Sequence, residues 1–266
     1  MGKFLVIFML ISSSLTAKEA FYALLISDTS SKEMADLHNA DVKRVESFLV
    51  GFCKNSNQKL IIKKVHAKNL SKKKIEKFVP KESKIKHNMF IYYSGNHPFF
   101  HCVEDIDANL SNKIITPEFI NTTILKKNRN LLFTVVFDCY QNIYPDKNIE
   151  ADYLKIRWNK KTARNLKNLF CKYEGTSLIA SSLGGESAYG MRCKNMKGGI
   201  FTAIFVDIAS RLKKSVNWYE FLGTIENTYR RFPDFSEESG EIPKVENNVY
   251  YNLVNTRHEN EEIFRK

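Results

Sequence analysis

Two short segments of the chain place a histidine and a cysteine directly after apolar runs. The run 88–93 is followed by Ser-Gly-Asn-His, and the run 131–137 is followed by Asp-Cys-Tyr. A thiol that can pass its proton to an imidazole is a strong nucleophile. His97 and Cys139 are therefore candidates for nucleophilic catalysis, provided that the fold brings their side chains together.

Both runs have the composition of buried parallel strands. They are rich in β-branched and aromatic residues and stop abruptly at polar ones. The carboxyl ends of parallel strands share one edge of an open α/β sheet, where ligands and catalytic groups sit. Strand-like and helix-like segments alternate along the chain, which predicts an α/β fold with a mostly parallel sheet and helices on both faces. The other predicted strands are 20–26, 59–65, 177–182 and 249–254, with a hairpin at 99–103, and the predicted helices are 34–49, 70–79, 117–125, 200–212 and 218–230.

Length and composition are those of one globular domain with appendages. The chain has 266 residues, of which 43% are hydrophobic and 26% are charged. A net charge of +12 favours acidic surfaces as partners. The lysines are spread along the whole chain, however, and no nucleic-acid-binding motif is present, so we expect no specific nucleic-acid partner.

The first 17 residues have the pattern of a secretory signal peptide. Lys3 precedes the apolar run 4–11, and the small and polar residues 12–17 follow it. Cleavage after Ala17 would release an exported protein into a periplasm, an extracellular space or a secretory lumen. An uncleaved anchor is the alternative. No later segment is long and apolar enough to form a transmembrane helix.

The cysteines give no sign of a metal site. None of the five forms a CxxC pair, which is the usual start of a zinc site. An odd number in an exported chain leaves at least one thiol free, and the sequence does not decide which disulfides form. The five are Cys53, Cys102, Cys139, Cys171 and Cys193.

Five segments, taken in their order along the chain, are similar to the conserved motifs of a known protein family. They are Phe-Tyr-Ala-Leu-Leu-Ile at 21–26, Leu-His-Asn-Ala-Asp-Val at 37–42, Tyr-Tyr-Ser-Gly at 92–95, Val-Val-Phe-Asp-Cys-Tyr at 135–140, and the stretch 179–189 followed by Gly-Gly-Ile-Phe-Thr at 198–202. Together they resemble the caspase-like cysteine peptidases, in particular the metacaspases and their bacterial relatives. The resemblance covers about residues 20–232. It implies a caspase-like three-layer sandwich over 18–232, with 233–266 as a C-terminal extension that ends the domain.

The stretch 143–175 is long, polar and rich in lysine and arginine. By the resemblance it is the loop between two subunits that is cut during maturation. A solvated surface loop is the alternative.

The resemblance also implies a histidine after the Ser-Gly pair and a cysteine two residues after the aspartate of the second segment. Asn96 and Tyr140 occupy these positions. An asparagine does not exchange a proton near neutral pH, and a phenol ionises only near pH 10 or so, so neither replaces the expected dyad. A one-residue shift would use His97 and Cys139. Because strand side chains alternate between faces, Cys139 should point away from Asp138 unless a bulge redirects it.

Asp41 and Asp138 match two aspartates that line the first specificity pocket of metacaspases, and Ser181 and Ser182 lie in the segment similar to the substrate wall of the family. Two carboxylates in an apolar pocket would attract an arginine or lysine side chain, so basic peptide or protein segments are the expected partners. The alternative is that Asp41 bonds to backbone and Asp138 to neighbouring amides. No cofactor or metal site is predicted from the residues, and calcium is implied only by the resemblance.

The preferred interpretation is a caspase-like pseudopeptidase, a binding or regulatory module that lacks the expected dyad. The alternative is an active cysteine endopeptidase, specific for Arg or Lys, that uses His97 and Cys139 in a shifted arrangement. A third class is the legumain and GPI-transamidase group, whose Asp-Thr-Cys-Gln is similar to residues 138–141, although the same cysteine is absent. Thiol alkylation that abolishes cleavage would indicate an enzyme, and peptide binding without turnover would indicate a pseudopeptidase.

Overall fold

One six-stranded sheet organises the molecule. The computed structural model describes residues 19–81, 87–95, 132–140, 142–144, 156, 158–171, 173, 175–181, 188–193, 196–230 and 250–255. Its strands are β1 (Ala20–Ser27), β2 (Lys59–His66), β3 (His87–Gly95), β4 (Leu132–Cys139), β5 (Asn142–Tyr144), β6 (Gly175–Ala180), β7 (Tyr189–Arg192), β8 (Lys197–Gly199) and β9 (Tyr250–Asn255). The main sheet has the order β2-β1-β3-β4-β6-β9, and all its pairs are parallel except the antiparallel pair of β6 with β9. A small second sheet has the order β5-β7-β8.

Helices cover both faces of the main sheet. They are α1 (Ala35–Ser56), α2 (Lys72–Phe78), α3 (Lys160–Cys171), α4 (Ile200–Ser210) and α5 (Trp218–Arg230). The side chains of β1 alternate between two hydrophobic clusters. Phe21 and Leu25 join a cluster that includes buried residues of α1, α3, α4 and α5, whereas Leu24 and Ile26 join a second cluster with Ile75 of α2. This helix–sheet–helix arrangement confirms the predicted fold class, a three-layer α/β sandwich with a mostly parallel sheet.

The stretch 143–175 is not a continuous loop, and the prediction is wrong over Lys160–Cys171, which form helix α3. The many lysines and asparagines of this segment make the helical spacing of its apolar residues hard to recognise in the sequence. Ala163, Leu166, Leu169 and Phe170 are buried on one side of it, the spacing that a helix needs to pack against a core.

The C-terminal part of the chain also contributes to the sheet. Strand β9 lies within the predicted extension 233–266 and forms the sixth strand, so the predicted boundary at residue 232 does not coincide with the end of the sheet.

Several sequence predictions concern residues outside those that the structure describes. These are the signal peptide, the hairpin 99–103, the helix 117–125, and residues 96, 97, 102 and 182. None of the helices within the described ranges is long and apolar enough to cross a membrane.

Candidate functional site

The carboxyl ends of β3 and β4 meet beneath helix α1. Ser94 and Asp138 are paired in the parallel register of these two strands. Helix α1 brings Asp41 to the same place, since Ser94 Oγ donates to Asp41 Oδ2 at 3.0 Å. The first turn of α4 brings Thr202 to Asp138. Two carboxylates from distant parts of the chain are thereby assembled at one edge of the sheet.

Asp41 is fully buried, with 0% of its surface exposed, and its carboxylate accepts from four partners. Oδ2 accepts from Tyr140 Oη at 2.8 Å and from Ser94 at 3.0 Å. The Gly199 amide lies 2.9 Å from both oxygens, and Arg44 Nη1 forms an ion pair with Oδ1 at 2.9 Å. Burial raises the pKa of Asp41, while the charge of Arg44 and these hydrogen bonds oppose the rise.

Asp138 is equally buried, and within the described residues only one of its two carboxylate oxygens has a hydrogen-bond partner. Its Oδ2 accepts from the Thr202 amide at 3.0 Å and from the Thr202 hydroxyl at 2.5 Å, and that hydroxyl also lies 2.5 Å from Tyr92 Oη. Among the described residues Oδ1 has no hydrogen-bond partner, although Ser181 is close enough to lower the pKa of the group. Burial, and next the charge of Asp41, raise the pKa of Asp138 to about 7.

Tyr140 is part of the packed interior. Its side chain is 0% exposed, and its ring lies edge-on to His38 with centroids 5.0 Å apart. Burial, followed by the charge of Asp41, raises the pKa of the phenol far above its usual range, so the hydroxyl keeps its proton and donates a hydrogen bond to Asp41. A protonated, enclosed phenol cannot act as a nucleophile.

The hairpin of β7 and β8 closes over this cluster with three glycines. A Cβ at Gly190 would lie 2.4 Å from the ring of Tyr140, and one at Gly199 would lie 1.9 Å from Asp138 Oδ2. At Gly198 it would lie 2.1 Å from Asp41 Oδ1, and the φ of +116° there also favours glycine. The hairpin backbone therefore touches both carboxylates and the phenol.

Cys139 lies on the other face of β4. Its half-buried side chain packs against the second hydrophobic cluster, the one that contains Ile75 of α2, while Asp138 and Tyr140 face α1 and α4. The Cys139 amide donates a hydrogen bond to Ser181 Oγ at 3.1 Å. Ser181, the first of the two serines predicted for the substrate wall, therefore lies beside the end of β4. The proposed partner His97 lies outside the described residues, as do Asn96 and Ser182. The cysteines at 53, 139, 171 and 193 form no disulfide with one another.

Several residues of this cluster are not among the predicted site residues. Arg44 follows Asp41 by three positions on α1, a spacing that brings opposite charges together on a helix surface. His38 is buried beside Tyr140, and its Nδ1 lies 2.6 Å from the Asp28 carbonyl oxygen. Thr202 lies at the end of the segment 198–202 but was not predicted as a site residue. No cluster of three or more potential metal-ligating side chains occurs in the part of the chain that the structure describes.

Comparison with known proteins gives neighbours among solved structures only. No protein-family model and no curated protein matches the chain. Pro-sf-caspase-1 is 10% identical, with 89% of this chain and 91% of that chain covered and a TM-score of 0.49. Caspase-1 from Spodoptera frugiperda is 10% identical, with 88% and 86% covered and a TM-score of 0.48. A protein from Geobacter sulfurreducens is 12% identical, with 88% and 93% covered and a TM-score of 0.46.

Proposed function

We propose that this chain is a caspase-like pseudopeptidase, a domain that keeps the architecture of a cysteine peptidase and serves as a binding or regulatory module. The order of the five sequence segments supports the family, and the central parallel sheet is compatible with it. The loss of catalysis is supported by one observation above all. Tyr140, at the position where the family has its nucleophile, is buried and donates a hydrogen bond to Asp41.

A hydrolytic reaction at this position would require a side chain that ionises and reaches a substrate. The phenol of Tyr140 does neither, because it keeps its proton and is enclosed by His38 and Gly190. Burial of a polar group normally requires a partner, and the carboxylate of Asp41 supplies one. The hydroxyl therefore has a structural role in place of a catalytic one.

The alternative is an endopeptidase with a shifted dyad of His97 and Cys139. In its favour, Cys139 is only half-buried and ends a strand at the edge where catalytic groups sit. Against it, the thiol faces the α2 side of the sheet, opposite to Asp138. A substrate held by the aspartates would be separated from the thiol by the sheet itself.

Basic peptide or protein segments remain the proposed partners. The buried Asp138 Oδ1 lacks a hydrogen-bond partner among the described residues, and a guanidinium or ammonium group is the donor that such an oxygen favours. Asp41 already has an internal guanidinium, that of Arg44, as its counter-charge. Access to Asp138 would require movement of the β7–β8 hairpin, which touches its carboxylate through Gly199.

Peptidase activity is tested with fluorogenic peptides that end in Arg or Lys, with and without calcium. The mature protein is compared with Cys139→Ala and His97→Ala, and Cys193→Ala serves as the matched control because this cysteine is also half-buried. We expect no turnover by any of the four. Turnover that disappears in the first two variants and persists in the control would establish the shifted dyad and overturn the proposal.

Partner recognition is tested separately by fluorescence anisotropy with an arginine-rich peptide and the same peptide carrying citrulline, which is neutral and nearly isosteric. We expect the arginine peptide to bind more tightly, and Asp138→Asn to remove the difference while circular dichroism shows an intact fold. Equal affinity for the two peptides would show that charge is not recognised at this site.

A further inference from the structure

A cavity lies between helix α1 and the outer corner of the main sheet. Its volume is about 310 Å³, and it shares no lining residue with the aspartate cluster. Leu25 and Val42 provide apolar walls, and Val65 also lines the cavity although its side chain packs against the second hydrophobic cluster on the other face of the sheet. The remaining lining residues are polar or charged, namely Ser27, Asn39, Lys43, Lys64 and His66.

Strand register explains why these polar groups converge. Ser27 pairs with His66 at the carboxyl ends of β1 and β2, and Ser27 Oγ lies 3.3 Å from His66 Nδ1. Lys64 precedes His66 by two residues and therefore shares its face of the sheet. Asn39 and Lys43 are four residues apart on α1, which places them on one side of the helix. The cavity thus opens at the carboxyl edge of the sheet, the usual ligand position in open α/β folds.

The charges around this cavity have one predominant sign. Its lining contains two lysines and no carboxylate. Lys64 Nζ forms an ion pair with Glu46 Oε2 at 2.9 Å, but both side chains are partly exposed, so the pair is weak and open to competition. Lys43 has no ion-pair partner within the described part of the chain. Ammonium groups only donate hydrogen bonds, so the mouth of the cavity is suited to an acceptor with negative charge.

We propose that this cavity binds a small organic anion, a carboxylate with a short branched apolar body. The carboxylate lies between Lys43 and Lys64 within reach of the Ser27–His66 pair, and the apolar body contacts Leu25 and Val42. The cavity volume is at the lower end of the range for small-molecule sites, which favours a small ligand. The site is independent of the proposed pseudopeptidase function.

The test is a titration of the full-length protein, with labelled Leu and Val methyl groups, followed by NMR. The probes are 4-methylpentanoate and its neutral amide. We expect the carboxylate to cause saturable shifts of the Leu25 and Val42 methyl signals, and the amide to cause none at the same concentrations. Equal binding of the amide, or no shifts by either probe up to about 10 mM, would overturn the proposal.

Charge variants provide the decisive comparison. Lys43→Gln should weaken carboxylate binding by about fivefold or more, whereas Lys73→Gln, on the opposite face of the sheet in α2, should leave it unchanged. Glu46→Gln should strengthen binding by about twofold or more, because it releases Lys64 from its ion pair. A gain of affinity cannot result from a damaged fold. Unchanged affinity in both Lys43→Gln and Glu46→Gln would show that the lysines do not hold the anion.

Discussion

Replacing Tyr140 by phenylalanine removes one hydroxyl from the interior and tests how much the hydrogen bond between Tyr140 and Asp41 contributes to stability. The phenol donates to the buried Asp41 carboxylate at 2.8 Å, and a hydrogen bond to a charged group contributes about 1.5–3 kcal/mol. Asp41 Oδ2 keeps Ser94 and the Gly199 amide as donors, so no buried oxygen is left without a partner. We therefore expect the free energy of unfolding to fall by about 2 kcal/mol.

Urea unfolding followed by circular dichroism measures this change. With a slope of about 2 kcal/mol per molar urea, the midpoint should fall by about 1 M. Tyr22→Phe is the matched control, because Tyr22 is a half-buried tyrosine of β1 that contacts Phe78 and His87 through its ring. This control should change stability by less than about 0.5 kcal/mol.

A double-mutant cycle isolates the interaction itself. Combining Tyr140→Phe with Asp41→Asn should give a coupling energy of about 1 kcal/mol or more, since the two groups are in direct contact. Strictly additive effects, or equal effects of Tyr140→Phe and the Tyr22 control, would refute the conclusion that the phenol is held by the carboxylate.

The other predictions concern titration, steric fit and thiol reactivity. Because the pKa of Asp138 is raised from an ordinary value near 3.8 to about 7, the folded protein binds a proton that the unfolded chain releases. The free energy of unfolding should therefore fall as the pH rises from about 4 to about 7, by at most about 1.4 kcal/mol per pH unit. Asp138→Asn should flatten this pH dependence in urea titrations. Gly199→Ala should destabilise the protein by about 2 kcal/mol or more in thermal unfolding, because its Cβ would overlap Asp138 Oδ2. Gly223→Ala in α5 meets nothing within 4 Å and should instead stabilise by about 0.5–1 kcal/mol. Burial raises the pKa of Cys53 to about 12 and that of Cys171 to about 11, so mass spectrometry should find both thiols unmodified by iodoacetamide at pH 8 until the protein is unfolded.

The main sheet was predictable because its strands are long and carry a clear pattern. Strand β4 is apolar at almost every position and ends at Asp138, so its existence and its direction could be inferred. Period-two alternation also predicted that Cys139 and Asp138 would face opposite sides. By contrast, β7 and β8 have only four and three residues, too few for a pattern to emerge. Helix α3 was missed because its charged face dominates its composition.

The site was only partly predictable for a different reason. Motif order placed Asp41 and Asp138 in one location, but motifs do not reveal what surrounds a carboxylate. That Asp41 would accept from Tyr140 and from the Gly199 amide depends on the hairpin, which no sequence signal predicted. In the structure Asp41 accepts from the Gly199 amide and Asp138 accepts from the Thr202 amide, and recognition of a basic side chain by these carboxylates stays a prediction.

The contact of Tyr140 with two glycines restricts the evolutionary paths open to this chain. A side chain at Gly190 or Gly199 cannot coexist with the ring, since a Cβ would come within 2.4 Å or 2.9 Å of it. Exchange of Tyr140 for a cysteine would in turn leave a cavity beside Met34 and Leu37, and loss of a buried aromatic ring typically costs about 3–5 kcal/mol. Mutations at these three positions are therefore epistatic. A cysteine at position 140 would therefore lower stability unless compensating changes accompany it.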